Sequence, residues 1–556
     1  MKILNDSNSL RYFQKLTNFH QGHILHSLLL IVTLGLLLSS CGKPPKNSKF
    51  IPKDASAVIC LNLKNMTTKL VTLKDLLDED TKRIQNSGVD FTKKAYIFAK
   101  WDPKDNKKNY AGLTFMLNDE SKFDAFLRKA PTKAPLEIKS AEGVKYAIVD
   151  NKIIIGWANR AVIMLGANID VPEKEWVKRL LRLRDQPESE SLAANNKYFA
   201  ELETQKYDAA TWLNWGNTIS QIRKNSFIRR QLNALEIIAG INFKDNYITG
   251  KTFFEKGKVT SDISWHMTKA LSQYEGLFKN KIDNKLLEHI PAKEPMLMLG
   301  LGLNPKTSQA VVDSSVYSKF IGAQLRRYTG LNTQQLFDMC TGDVMAALID
   351  IEKREVPEQI IDKEGNVESK TVTKTFYKFL LGAEINNMES LDKLLGKWTS
   401  KGRLQKEGDV YTFNLDDDQQ VNYLFIKDKM IFGTWTEGIK DYVMTNKGTR
   451  LDEQYVSLGK NSAFSLFADI KKENINKFPN ENLDLVPFGF GTTLKKMQSP
   501  VESFSIQTTP AKDNLSNTRV IIHFNDKEKN ALRALMEMVQ GMDKSVMTLP
   551  KFFSGQ

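Results

Sequence analysis

Side chains that commonly carry chemistry are sparse in this chain, and their spacing is poor. Beyond residue 41 the histidines are His266, His289 and His523, far apart and without carboxylates at ligand spacing, so HExxH and related metal arrangements are absent. The cysteines are Cys41, Cys60 and Cys340, with no CxxC spacing, so they build neither a disulfide scaffold nor a thiolate zinc site. Cys60 and Cys340 could pair in an oxidising compartment, but both lie in apolar runs (AVICLNL and LFDMC) and are expected as buried free thiols. No GxSxG elbow occurs. Ser457-Leu458-Gly459-Lys460 satisfies SxxK, in which a serine nucleophile and a lysine share a helix turn, yet the glycine weakens that helix and no SDN or KTG companion follows. The stretches LGLGLN (299–304) and FGFGTT (488–493) complete no phosphate-binding fingerprint and read as strand or turn glycines. Consecutive Asp416, Asp417 and Asp418 cannot supply the alternating ligands of an EF-hand loop. The expectation is no catalytic motif, no metal and no cofactor, with His266 and His523 as structural residues.

Two features point to binding instead. EKEWVKRLLRLRD (173–185) and QIRKNSFIRRQL (221–232) read as basic amphipathic helices, with Lys174, Lys178, Arg179, Arg182, Arg184, Arg223, Lys224, Arg229 and Arg230 set among apolar residues. Such a helix can rest on an anionic membrane or polymer, or it can be a solvated outer face over an apolar inner one. Trp212 and Trp215, near Tyr207, are three residues apart and so cannot share one face of a regular strand. One ring is then a candidate for stacking on a sugar, and core packing is the competing role.

The remaining reactive position lies at the end of an export segment. A mildly basic start is followed by the apolar run Ile24–Leu38, whose 15 residues fall short of the roughly 20 that span a hydrocarbon core and suit a signal sequence. Leu38-Ser39-Ser40-Cys41-Gly42 resembles the lipobox of bacterial lipoproteins. The resemblance implies cleavage between Ser40 and Cys41 and acyl chains, palmitate among them, on Cys41, an anchor far stronger than a single myristoyl chain. Residues 1–40 are then the signal peptide and 41–48 a polar, proline-containing tether. Gly42 is not the aspartate that retains some lipoproteins in the inner membrane, and the tether has no acidic run. The first point favours the outer over the inner membrane, and the second favours a face towards the periplasm over surface display.

The elements that must position these residues follow one order twice. Phe50-Ile51-Pro52-Lys53 before AVICLNL resembles His289-Ile290-Pro291-Ala292 before MLMLGLGL, each a strand reached through a proline-fixed turn. AYIFAKW corresponds to VMAALIDI. YAGLTFMLNDESKFDAFLRK (110–129) corresponds to YKFLLGAEINNMESLDKLLGK (377–397), a strand, a capping turn and a helix. Hairpins follow at 145–166 and 411–443, then strands near 208 and 462, and late strands that place His266 and His523 alike. The pattern predicts an α+β fold of two tandem, weakly similar units, 49–284 and 285–545, each a mainly antiparallel sheet covered by helices, with a tail at 546–556. The polar excursion 353–374 reads as a long protruding hairpin in the second unit.

Together the lipobox, the IPKDA segment after it and the duplicated body resemble a domain-of-unknown-function family of envelope lipoproteins from Bacteroidota. That resemblance implies an envelope location and no particular reaction. Composition agrees with a globular body, 41% hydrophobic and 26% charged. The formal net charge is +14; losing Lys2, Arg11, Lys15 and Asp6 with the signal peptide removes a net +2 and leaves +12. A basic surface favours anionic partners and says little about fold. The sequence therefore leads to a non-enzymatic, membrane-anchored binding or assembly module whose partner is an envelope protein or anionic glycan, with no specific nucleic acid. A glycan-processing hydrolase built on scattered carboxylates and a periplasmic carrier of lipid or precursor are the alternatives.

Overall fold

The computed structural model describes residues 47–70, 86–102, 105–129, 136–222, 244–272, 275–279, 281–315, 318–361, 367–414, 421–460, 462–478 and 500–541. Residues 1–46 with Ser40 and Cys41, the four basic residues Arg223, Lys224, Arg229 and Arg230, Asp416–Asp418, the stretch 488–493 and the tail 546–556 lie outside them. Two compact units emerge from the described chain: 47–266 with 528–541, and 267–527.

In the first unit the strands are β1 (Ala57–Asn62), β2 (Lys94–Lys100), β3 (Tyr110–Met116), β4 (Lys139–Ala141), β5 (Val144–Val149), β6 (Ile153–Ala158), β7 (Ala161–Gly166), β8 (Ala209–Asn214), β9 (Tyr247–Glu255) and β10 (Lys258–His266). Their pairings are all antiparallel and give the order β4-β5-β6-β7-β3-β2-β1-β8-β9-β10. The second unit has β11 (Leu297–Gly302), β12 (Cys340–Ile361), β13 (Val367–Ile385), β14 (Gln405–Glu407), β15 (Val410–Phe413), β16 (Asn422–Lys427), β17 (Met430–Thr434), β18 (Phe464–Asp469), β19 (Val501–Thr508) and β20 (Leu515–Phe524). These too pair antiparallel, in the order β14-β15-β16-β17-β13-β12-β11-β18-β19-β20. Strand for strand, the two orders coincide. The fold is α+β.

Local chemistry repeats with the topology. Asn159 and Arg160 between β6 and β7 both take positive φ, 49° and 63°, and Asp428 and Lys429 between β16 and β17 do the same, 50° and 61°. Two successive positive values are what a two-residue type I′ hairpin needs, and its twist matches that of the strands it joins. A helix then follows each hairpin pair, Glu173–Arg184 in one unit and Glu437–Thr445 in the other.

Each sheet packs one face against helices. In the first unit Trp176 and Leu180 from helix Glu173–Arg184 and Phe199 from helix Lys197–Thr204 meet Phe98, Ile154 and Trp212 of the strands. In the second, Leu286 and Leu287 meet Met298, Met345, Leu380, Phe432 and Phe467. Alternation would normally leave polar residues on the opposite face of an antiparallel sheet. Here that face carries Leu297, Val344 and Leu381, 39%, 36% and 48% exposed, with Leu301 beside Val344 and Ala346 beside Leu381 in the register.

The division of the chain differs from the sequence expectation at both ends of the second unit. Residues 267–284 belong to it, because Lys279 N–H donates to Gly302 O at 2.9 Å and Ile282 N–H to Ser462 O at 3.0 Å. After Lys527 the chain returns to the first unit. Gly257 N–H donates to Lys529 O at 2.8 Å and Asn530 Nδ2 to Phe254 O at 3.2 Å, setting down helix Ala531–Gly541 with Ala531, Leu532 and Ala534 buried. Strands β12 and β13 pair without interruption from Val344↔Ala383 outward, apart from one bulge, to Ile361↔Val367, so the excursion 353–374 is the outer part of a two-stranded ribbon.

Candidate functional site

A polar cluster holds a buried carboxylate at the inner end of β12 and β13, away from the ribbon. Asp343 stands on β12 opposite Gly302 of β11, with a side chain only 1% exposed. Lys279 Nζ donates to Asp343 Oδ2. Thr341 Oγ1 donates to Glu384 Oε2 of β13 at 2.6 Å and lies 3.4 Å from Asp343 Oδ2, so one hydroxyl sits between two carboxylates. Gly342 allows this close packing: its φ is +95°, and a Cβ there would fall 2.0 Å from Leu303 O. Burial raises the Asp343 carboxyl above the usual carboxylate range, Lys279 opposes the rise and Glu384 adds to it. Lys279 also lines an open cleft of about 530 Å³ together with Phe278, Lys281, Asn304, Pro510 and Ala511.

A carboxyl with raised titration near a second carboxylate and a cleft is what a hydrolase would require, so the geometry decides the matter. A general acid must come within hydrogen-bond reach of the atom it protonates. Asp343 is enclosed, and the group presented to the cleft is the lysine that neutralises it. The cluster therefore reads as a buried ion pair that fastens β12 to the segment before β11. Among the described residues no group of three or more His, Cys, Asp or Glu side chains is placed to hold a metal.

The sequence-derived candidates disperse. On helix Glu173–Arg184, Lys174, Lys178 and Arg182 are exposed at four-residue spacing. Arg179 is instead held by Glu175 at 3.2 Å and by the Lys107 carbonyl at 3.0 Å, and Arg184 by Asp185 and the Glu142 carbonyl. Trp212 is a core residue, 1% exposed, stacked on Tyr247 at 5.6 Å, so the sugar-stacking role does not apply to it. Trp215 begins the helix Trp215–Ile222, half-buried, edge-on to Trp265 at 6.3 Å. Ser457 Oγ donates to Gln454 O at 2.7 Å while Lys460 Nζ donates to Glu453 Oε1 at 3.2 Å, which leaves no serine–lysine dyad.

The histidines are fixed by structure. His266 shares a 2.9 Å hydrogen bond with Thr249 Oγ1 and stacks on Tyr198 at 3.9 Å; burial lowers its pKa to about 4, with a smaller push from Lys197. His289 Nδ1 meets Lys285 O at 2.8 Å. Cys60 and Cys340 are free thiols. Cys60 lies 3.0 Å from Tyr207 Oη in a network that motif reading misses, since Lys94 Nζ donates to the same Tyr207 oxygen at 2.7 Å and Tyr96 Oη donates to Glu203.

Two surfaces are left. Beyond Asp350↔Lys378 the ribbon strands pair only with each other among the described residues, over 11 further register steps, or roughly 35–40 Å at the rise of a strand. The second surface is helix Ser318–Thr329, which exposes Phe320 at 64% and Tyr328 at 54%. Among the described residues no helix is long and apolar enough to cross a membrane.

No protein-family model and no curated protein match the chain. Solved structures of TP0453 are similar to part of it. Crystal form IV shares 9% identity over 42% of this chain and 85% of that chain, with a TM-score of 0.24. Crystal form III shares 10% identity over 42% and 86%, with a TM-score of 0.25. A likeness at that TM-score carries no argument.

Proposed function

We propose that the chain is an envelope lipoprotein, anchored by acyl chains on Cys41 and facing the periplasm from the outer membrane, that acts as a binding or assembly module and takes hold of an extended protein segment along the free edge of β13. The observation that carries this reading is the ribbon. A two-stranded hairpin standing alone is marginal in water, and its edges present unpaired N–H and C=O groups to any strand that arrives. The equivalent pair β2 and β3 stops at Lys100↔Tyr110, so the extension is additional to what the repeated fold needs.

The two edges differ. Pro357 interrupts the donors of β12 and so blunts that edge, and Lys477 Nζ holds Asp350 at its base at 2.8 Å. On β13 the stretch Lys370-Thr371-Val372-Thr373-Lys374-Thr375-Phe376 has high strand propensity and no proline. Added strands gain affinity from main-chain hydrogen bonds and specificity from alternate side chains. Lys370, exposed on that stretch, suits a segment that brings an acidic residue to it. The test replaces 353–374 by a short turn and compares crosslinked envelope material captured by the two full-length proteins. Loss of one reproducible protein partner with the ribbon is the expected result; an unchanged partner set would sink the reading.

A second reading, carriage of a lipid or apolar precursor, has its own support in the sheet face bearing the exposed Leu297, Val344 and Leu381. Extraction of the purified protein followed by mass spectrometry of bound lipid tests it. Stoichiometric lipid that disappears in Leu381→Asp would favour carriage over protein binding.

A further inference from the structure

We propose that helix Ser318–Thr329 is a membrane-contact element that lies on an anionic phospholipid surface. Its outward arc carries Lys319, Phe320, Ala323, Arg326 and Arg327, with Tyr328 at the end, all exposed. No residue of the helix is buried. Phe320, at 64%, is the most exposed of the large apolar side chains among the described residues, and Tyr328 follows it at 54%. Three cations and no carboxylate occur between Ser318 and Thr329, and the acid-free stretch runs from Ser314 to Phe337. Aromatic and aliphatic residues beside lysine and arginine, with no acidic residue to repel phosphate, are what an interfacial helix presents to lipid headgroups.

The helix is held firmly enough to present that arc as a unit. Lys397 Nζ donates to the Arg326 and Arg327 carbonyls at 3.0 and 2.9 Å, and Trp398 Nε1 donates to the Tyr328 carbonyl at 3.1 Å, so the C-terminal carbonyls are satisfied from helix Met388–Ser400. Arg327 lies over the Tyr328 ring at 5.7 Å. With the carbonyl end tied from behind, the guanidinium groups and Phe320 remain outward. A protein partner would cover an exposed aromatic with shape-matched apolar surface and would pair the cations with carboxylates. A fluid phosphate-bearing surface needs neither match, and the basic balance of the chain favours it.

The inference takes only proximity to a bilayer from the anchorage proposed above, and the experiment separates the two. A benzophenone side chain is installed at position 320 of the full chain, with position 460 as an exposed control, and the protein is mixed with phosphatidylglycerol or phosphatidylcholine vesicles before irradiation. Sedimentation with phosphatidylcholine vesicles reports the anchor, and lipid adducts at 320 report the helix. The expected result is adducts at 320 in phosphatidylglycerol, few at 460, and a drop of about 25-fold in Arg326→Gln/Arg327→Gln, from roughly fivefold per basic residue. Equal yields at 320 and 460, or no loss in the double variant, would overturn the proposal. A chain that fails to sediment refutes anchorage alone, because adducts at 320 with excess phosphatidylglycerol vesicles still score the helix.

Discussion

The indole N–H of Trp212 donates to the Asn196 side-chain oxygen at 3.0 Å, and the same oxygen caps helix Lys197–Thr204 by accepting from the Phe199 N–H at 3.0 Å. One carboxamide oxygen thus joins a strand of the first sheet to the start of the helix packed on it. Asn196→Ala removes the cap and orphans the buried indole nitrogen, so it should cost about 2–4 kcal/mol, more than an exposed cap. Trp212→Phe loses the donor and part of the ring and should cost less than Asn196→Ala. Urea midpoints of the two variants check the order; if Trp212→Phe proves the more damaging, packing and not the shared oxygen fixes the junction.

His266 gives the first unit a pH dependence. Its native pKa near 4 lies below the ordinary histidine value of 6.5, so between those values the unfolded chain binds the extra proton. Stability from this site is present above about pH 6.5 and is lost as pH falls towards 4. After allowance for its partial exposure the contribution is on the order of 1–2 kcal/mol. His266→Gln should flatten the stability profile over that range, measured by denaturant midpoints at pH 7.5, 6 and 5. A variant profile parallel to that of the wild type would remove His266 as the source.

The α+β class was legible because it needs only local signals. Pro52 and Pro291 before the first strands, the hairpin patterns at 145–166 and 411–443, and the strands that carry His266 and His523 all leave marks within a few residues. The strand order was not legible, since the contact of β1 with β8, Ile59 against Thr211, joins residues from distant segments, and a strand pattern does not say which neighbour it will take. The Asp343 cluster was hidden for the same reason, as Lys279, Thr341 and Glu384 belong to no common motif. Helix Ser318–Thr329 did leave a signal, the acid-free run from Ser314 to Phe337, which a search for catalytic patterns passes over. Which of Trp212 and Trp215 would be the core ring was not legible, because spacing alone does not report that Asn196 satisfies the Trp212 nitrogen.

Lys279 and Asp343 form a pair whose halves are unequal. The lysine can reach water, whereas the carboxylate is 1% exposed and has nowhere to go. Lys279→Ala should therefore cost about 3–5 kcal/mol, by leaving a buried charge without its partner, while Lys279→Met combined with Asp343→Leu should recover most of that loss. The pH dependence has a definite sign. Without Lys279 the native Asp343 carboxyl rises further above its unfolded value, the native state then holds the proton, and the deficit relative to wild type should shrink as pH falls from 7 towards 4.5. Chemical denaturation at the two pH values measures it. A deficit that stays constant would place Asp343 outside the coupling.

Cys60 offers the sharpest test of the first unit's interior. Burial pushes its thiol up to about 12, opposed by the hydrogen bond with Tyr207 and by Lys94. Since the thiolate is the nucleophile, the native protein at pH 8 should leave Cys60 unmodified by a disulfide reagent on a timescale set by opening of the fold, whereas denaturant should expose it at once. Tyr207→Phe deletes the oxygen shared by Cys60 Sγ and Lys94 Nζ. Lys94 keeps its 2.6 Å bond to the Glu203 carbonyl, so the sheet should stay formed while local opening becomes easier. The expected loss of stability is about 1–3 kcal/mol, with a matching rise in the labelling rate. Rapid native modification of Cys60 in the wild type would contradict the enclosure described for it, and a Tyr207→Phe protein labelled no faster would show that the oxygen contributes nothing to holding β1 against the helix-bearing face.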